Sequence, residues 1–457
     1  MLISTNAAAP DYRRDLGDGL VLRWSQAEDT EQIAQFVGRI FRSKEDAPDN
    51  IFLANLVRDL MSGRTTVMGE NDYGVIQDTS KEGKPIVATV CLQRQTWLYE
   101  GIPFVLGRPE IVASEPAYRK RGLVRSIFEM VHARSEAEGH LVQGITGIPY
   151  FYRQFGYEYA LDLEGYRGVA LHGIPKLKEG EQESYTLREA TGKDLPVVRE
   201  LYHHLCARYM VSVQMSDEFL RYLIDGWQDN DQHYRVVTTQ LILDSKQTII
   251  GMLHALAGRW GKRVVVVSLA TAPGVNQQAM VPSLLRALET YGQALPMLKA
   301  DTDPFSEIRF ALGREHPIYE ALGKSLITSG EPPYAWYLRV PDLARFIKHI
   351  APALEKRLVD SPVAGYSGDL KLNFYRDGLR LVFEQGRLTG AEPWRAPLYA
   401  PQDNSDGGFP PKVFLQALFG YRSLDELKYA YPDVWVTNAT LFNTLFPKKA
   451  SWATQLP

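Results

Sequence analysis

Arg119, Lys120, Arg121 and Arg125 set four cationic side chains around one glycine, Gly122, where a strand-like run through Ser114 gives way to a helical one opening at Leu123. Such a junction suits phosphate. The first N–H groups of a helix have no intrahelical partner, a glycine lets an anion approach the backbone, and the arginines and lysine add charge. Basic residues near a helix start can also be merely solvated, so the run gains weight only from a second motif downstream. That motif is Gly147–Ala160, GIPYFYRQFGYEYA, which offers a phenol, Tyr152, that stays protonated near neutral pH because its ordinary pKa is about 10. The order of the two segments is what raises the basic run above solvated charge.

The elements that must carry these residues are legible as patterns. Leu123, Ile127, Met130 and Val131 share one helical face, so Leu123 is expected to offer its backbone to a ligand and its side chain to the core. Leu20–Phe36 reads as a strand and an amphipathic helix, and Tyr185–Tyr202 repeats that layout. Each half then predicts a hairpin: Tyr73–Gln77 with Pro85–Trp97, and Val236–Leu243 with Thr248–Leu256. A YxxΦG signature recurs at Tyr152–Gly156 and Tyr319–Gly323, which implies two copies of one α/β fold. The second copy, after the strand Val264–Ala270, has Gln277 and Gln278 where the first has its basic residues and no glycine after them, so no anion site is expected there. Beyond it, Asp369–Phe383 alternates around Asp377-Gly378 as a hairpin, and Pro410–Leu427 reads as a helix, a stop at Gly420 and a second helix capped by Ser423 and Glu426. That strand layer followed by helices predicts a small α+β unit.

Composition narrows the class. With 457 residues the chain has room for several domains, and a net charge of -3 with a pI near 6.3 speaks against a dedicated nucleic-acid binder. Cys91 and Cys206 have no CxxC spacing and are expected to be buried free thiols. No window reaches the apolar length of a membrane span and no signal-peptide core opens the chain, so a cytoplasmic location is expected. His132 with His140, and His203 with His204, lack metal-pair spacing; solvated histidines are expected and no metal site is assigned.

The segments RKRGLVR (Arg119–Arg125) and YRQFGY (Tyr152–Tyr157) together resemble motifs A and B of the GNAT superfamily of acetyl-CoA-dependent N-acetyltransferases. The superfamily pattern RxxGxG/A falls on Arg119–Val124, with its last small residue replaced by Val124. The combination is similar to the enhanced intracellular survival (Eis) family of multi-acetylating aminoglycoside acetyltransferases, which also carries a bulkier aliphatic residue there. That resemblance implies a mixed α/β and α+β architecture of tandem GNAT folds, the N-terminal one active and the central one degenerate, with a C-terminal sterol-carrier-like domain. The segments would be 1–180, 181–333 and 334–457, the breaks falling near GEQE and GEPP.

For the site, the resemblance places acetyl-CoA on Val112, Ala113 and Ser114, on Lys120, Arg121, Gly122, Leu123, Val124 and Arg125, and on Gly147 and Ile148. Backbone groups of Val112–Ser114 would pair with the extended arm as an added strand. Tyr152 would be the general acid that protonates the leaving thiolate; the alternative is an aromatic that only packs, as Tyr150, Phe151 and Phe155 are expected to. For the base, the resemblance points to the terminal carboxylate, here on Pro457; Glu110 and water stand as rivals. The acceptor would be a primary amine of a small polyamine-type molecule such as an aminoglycoside, reacting directly in a ternary complex, and the assembly a homo-oligomer such as a hexamer. Protein lysine acetylation, or non-enzymatic binding of acyl-CoA or lipid, are the competing readings.

Overall fold

The computed structural model describes residues 5–229, 232–234, 236–259, 261–297, 304–397, 399 and 404–454. By internal contacts the chain forms two compact units, one made of residues up to 161 with 336–448, the other of 162–335 with the segment from 449.

The first unit opens with β1 (Arg13–Asp15), β2 (Leu20–Trp24), α1 (Thr30–Ile40), α2 (Ile51–Met61), β3 (Tyr73–Asp78), β4 (Ile86–Tyr99), β5 (Ile102–Ser114), α3 (Leu123–Ala137), β6 (Val142–Ile145) and β7 (Glu158–Leu163). These strands lie in the order β1 to β6, after which the distant strand Tyr334–Arg339 separates β6 from β7. Neighbours from β1 to β5 are antiparallel, while β5 and β6 are parallel. The expected face of α3 is the buried one: Leu123, Ile127, Met130 and Val131 pack with Trp24, Ile76, Val87 and Leu92. Burying side chains of this kind contributes roughly 1.5–3 kcal/mol each. The approach is close, since a Cβ added at Gly74 of β3 would stand 2.6 Å from Ile127 Cγ2. On the opposite face, Ile33 and Val37 of α1 and Val57 and Leu60 of α2 cover Tyr73, Val75 and Cys91. Both cysteines are buried and free.

The C-terminal part of this unit has the expected strand layer and helices. Gly368–Asn373 and Gly378–Glu384 form the hairpin, closed by a Phe374 N–H bond to the Asp377 carbonyl. Gly420, at φ +68, follows the helix Phe414–Leu418, and Ser423 and Glu426 form a capping box on Leu424–Ala430. Phe409, Phe414, Phe442 and Phe446 pack ring against ring beneath them.

The second unit is built on a sheet in the order Ile327–Glu331, Tyr166–Ala170, Glu307–Phe310, Arg263–Thr271, Ile249–Leu256, Val237–Asp244 and Tyr185–Glu189. The helix Gln277–Ala294 covers one face through Met280, Leu284, Leu285 and Leu288. Two strands fall on the other side of the expected breaks. Tyr166–Ala170, expected within 1–180, pairs with Glu307–Phe310, and Tyr334–Arg339, expected within 334–457, pairs with β6. Strand partners, and not the composition of the connecting loops, decide where each belongs. Among the described residues, no helix is long and apolar enough to cross a membrane.

Candidate active site

The site begins where two parallel strands part. β4 and β5 stay paired from Tyr99↔Ile102 to Ala88↔Ser114, yet β5 and β6 pair only at Leu106↔Val142 and Gly107↔Gln143. β6 gives its other edge to the strand Tyr334–Arg339, with Ile145 opposite Tyr337. Past Gly107, therefore, β5 runs on to Ser114 with β4 on one side and no β6 pairing on the other. Within that stretch the register slips: Thr89 faces Ala113 while Cys91 faces Glu110, so β5 carries one residue more than β4. Ile111 adopts φ +52 at this bulge. A β-branched residue there costs about 1–2 kcal/mol, a strain that bulges beside functional sites commonly hold.

From the end of β5 the chain turns through Pro116–Tyr118, Lys120 at φ +63 and Gly122 at φ +76 into α3. Among the described residues no side-chain bond caps this helix. A Cβ built on Gly122 meets nothing within 4 Å, so the space in front of the first helical turn is open. Arg119 lies with Nε and Nη2 3.4 Å from the Ser114 carbonyl, and Arg121 pairs with Asp18 at 2.8 Å. Arg125 donates to Gln154 Oε1 at 2.8 Å and covers the Phe155 ring at 5.1 Å. Lys120, Arg121 and Arg125 are exposed, Val124 is half-buried and Leu123 is buried, as its helical position predicts. An open, uncapped helix start with cations around it, joined to a strand edge free to pair, fits the diphosphate and the extended amide arm of coenzyme A.

Tyr152 sits in the short turn Phe151–Phe155, between Tyr150 at φ +60 and Gly156 at φ +98. The residue is 2% exposed, and its ring is enclosed by Phe151, Tyr337, Phe128 and Tyr157 at centroid distances of 5.2, 5.4, 5.9 and 6.4 Å. The hydroxyl points toward Gly147, where an added Cβ would lie 3.7 Å from it. Burial first, and the negative charge of Glu110 second, push the phenol well above its ordinary range, so it holds its proton at neutral pH. Phe151 and Phe155 pack as expected, Phe155 stacking on Phe128 at 4.6 Å. Tyr150 is instead 70% exposed, its ring edge-on to Tyr159 at 6.2 Å with the Arg153 guanidinium over it at 4.9 Å. Gly147 and Ile148 are exposed as well.

Glu110 lies on the open stretch of β5. Its Oε1 accepts from Arg108 Nε at 3.1 Å and from Thr146 Oγ1, just past β6, at 3.2 Å. Sequence reading missed Arg108 and Thr146, and also Tyr159 and Tyr337, whose hydroxyls meet at 2.6 Å. The Tyr159 oxygen accepts from the Tyr150 N–H at 3.1 Å, and the Tyr337 hydroxyl donates to the Ile148 carbonyl at 3.3 Å. This pair fixes the loop ahead of Tyr152 from a strand nearly two hundred residues away in sequence, so no local pattern announces it. His132 and His140, expected to be solvated, are buried: His132 Nε2 bonds Tyr157 at 2.8 Å and His140 Nδ1 bonds Ser135 at 2.9 Å. Pro457 lies outside the described residues. Among those, no group of three or more His, Cys, Asp or Glu could hold a metal ion.

Residues 22–160 match the family described as acetyltransferase (GNAT) domain. No curated protein matches the chain in sequence. Among solved structures, the chain is similar in fold to a probable N-acyltransferase of Enterococcus faecalis, at 13% identity and a TM-score of 0.65, over 96% of this chain and 100% of that one. It is similar to a GCN5-related N-acetyltransferase of Kribbella flavida at 16% identity and 0.62, over 95% and 97%. It is similar also to Eis1 of Mycobacterium abscessus at 13% and 0.53, over 95% and 98%. The parted strands, the basic helix start and the buried phenol all fall inside the matched segment, and residues 22–160 are a GNAT acetyltransferase domain.

Proposed function

We propose that the chain acetylates primary amines of a small polyamine-type acceptor such as an aminoglycoside, by direct transfer in a ternary complex. The observation that carries this reading is the unpaired edge of β5 running into the uncapped, basic start of α3, with a neutral phenol in the same unit. Backbone groups of Val112, Ala113 and Ser114 hold the amide arm; the amides of Gly122, Leu123 and Val124, with Lys120, Arg121 and Arg125, take the phosphates; Gly147 and Ile148 flank the acyl end. When bound, acetyl-CoA supplies an acyl group activated as a thioester. Tyr152 holds at its phenol oxygen the proton that the departing sulfur takes up. The amine must lose a proton to a base: the terminal carboxylate of Pro457, with Glu110 and water as the rivals.

The tandem arrangement belongs to this proposal, with the central segment as a degenerate copy. In the second unit the parallel pair Arg263–Thr271 and Glu307–Phe310 ends at Val266↔Phe310, and His316 Nε2 then donates to the Leu269 carbonyl at 3.0 Å. A side chain of the unit itself thus occupies the strand edge that stays open in the first. The strand layer and capped helices after residue 340 support the sterol-carrier-like reading of the last segment, and an oligomer follows from the same family resemblance.

The test is release of coenzyme A thiol from acetyl-CoA across a panel of aminoglycosides, spermidine and lysine peptides. Aminoglycoside-dependent release with multiply acetylated products supports the proposal. Release with peptides alone moves the acceptor to protein lysines, and no release above hydrolysis with any amine removes the enzymatic reading.

A further inference from the structure

A second concavity opens in the first unit, away from the parted strands. It is a groove of about 630 Å³ between the start of β5, the turn after α3 and the helix Leu343–His349. Its floor is apolar, built from Pro103, Val105 and Leu141; its rim carries Arg345, Lys348 and His349. Val105 is 43% exposed there, a β-branched side chain presented to solvent. His349 Nε2 meets the Pro103 carbonyl at 2.7 Å and ties the helix to the strand, so the groove has fixed walls. Gly139 keeps it open: at φ +81 it has no side chain to fill the space, and Arg345 Nη2 comes within 3.8 Å of where a Cβ would stand.

Arg345 and Lys348 are three residues apart on one helix and share a face. Among the described residues neither side chain has a carboxylate partner. The nearby Glu138 is engaged by Arg94 through two bonds of 2.7 Å, and Asp342 caps the Arg345 backbone N–H. Two free cations above an apolar floor select a ligand that is anionic at one end and apolar along its length. Nine residues line the groove, far fewer than the roughly 20–30 a side of a stable protein interface, while the volume lies within the range of about 300–1,000 Å³ for small-molecule sites.

We propose that this groove binds an amphipathic carboxylate of the medium-chain fatty-acid type, its chain on Val105 and Leu141 and its head between Arg345 and Lys348. The inference does not depend on the acetyltransfer reaction. Calorimetric titration of the full chain with decanoate, octanoate, decanol, acetate and inorganic phosphate tests it. Decanoate is expected to bind once per chain, more tightly than octanoate by about fourfold for each added methylene that is buried. The double variant Arg345→Ala/Lys348→Ala should weaken decanoate at least about tenfold and leave decanol unchanged, and Val105→Trp should abolish both by filling the floor. The proposal is overturned if decanoate fails to bind at millimolar concentration, if it binds the double variant equally well, or if acetate or phosphate competes as strongly as decanoate. Arg345 and Lys348 are both exposed, so the double variant decides the matter even where Val105→Trp misfolds.

Discussion

Thr146 Oγ1 donates to Glu110 Oε1 at 3.2 Å, joining β5 to the end of β6 beyond the point where their backbones have stopped pairing. One carboxylate thus bridges the parted strands while its charge bears on the Tyr152 phenol. Glu110→Gln keeps an acceptor for Thr146 and removes the charge. If the terminal carboxylate is the base, deleting the last residues through Pro457 lowers turnover with little loss of acetyl-CoA affinity, and Glu110→Gln leaves most of the activity. Steady-state kinetics on both variants check this. An intact rate in the truncated chain together with an inactive Glu110→Gln variant would give the base role to the strand carboxylate.

Tyr152→Phe deletes one hydroxyl and keeps the ring among Phe128, Phe151 and Tyr337. General acid catalysis is worth about a hundred- to ten-thousandfold, so turnover should fall at least a hundredfold when chemistry limits the rate. Acetyl-CoA affinity and melting temperature should hardly move. Near-normal turnover in a single-turnover assay would reduce Tyr152 to packing.

At the basic turn, two substitutions separate charge from space. On the proposed placement of acetyl-CoA, Arg121→Ala should remove a charge-assisted phosphate bond worth about 1.5–3 kcal/mol, from which the cost of displacing the exposed Asp18 partner must be subtracted. Gly122→Ala should cost about 1–2 kcal/mol of stability for its φ of +76, with no steric clash in the free protein. It should weaken acetyl-CoA further, because the new methyl enters the open space before the helix. Calorimetry should give one site per chain; a second equivalent would contradict the blocked strand edge at His316.

His254 gives a prediction about acid stability. It is fully buried in the second unit, both ring nitrogens lack a partner among the described residues, and so does Ser268 Oγ on the facing strand position. Burial pushes its pKa down to about 4, against about 6.5 in the unfolded chain. Between those values the unfolded state binds more protons, so acid favours unfolding. Lowering the pH from 7 to 5 should therefore cost about 2 kcal/mol through this group alone, and about 3 kcal/mol once both states are protonated. In His254→Leu that part of the pH dependence should vanish, as read from denaturant midpoints at pH 7 and pH 5.

Features that depend on neighbours along the chain were legible in the sequence. The buried face of α3, the hairpins of β3–β4 and of Val237–Asp244 with Ile249–Leu256, and the Ser423–Glu426 box all follow from periodicity or fixed offsets. Features that depend on a distant partner were not. Ile111 looks like any strand isoleucine until the register with β4 shows the extra residue, and His132 looks polar until Tyr157 is found against it. Tyr337 is the clearest case, since its place beside Tyr152 and Tyr159 is set by a strand pairing that no local motif encodes.

That same strand orders the folding of the molecule in time. Tyr334–Arg339 lies between β6 and β7, so the sheet of the acetyltransferase domain stays incomplete until the ribosome has delivered residues far beyond the domain's own last strand. At synthesis rates of about 5–20 residues per second, the delay is on the order of ten seconds or more. During it the edges of Val142–Ile145 and Glu158–Leu163 stand bare, and the second unit, whose sheet closes with Ile327–Glu331, has its strands in hand first. The nascent chain is most exposed to edge-to-edge misassociation in that window, and a fragment cut after the matched domain would remain in it permanently.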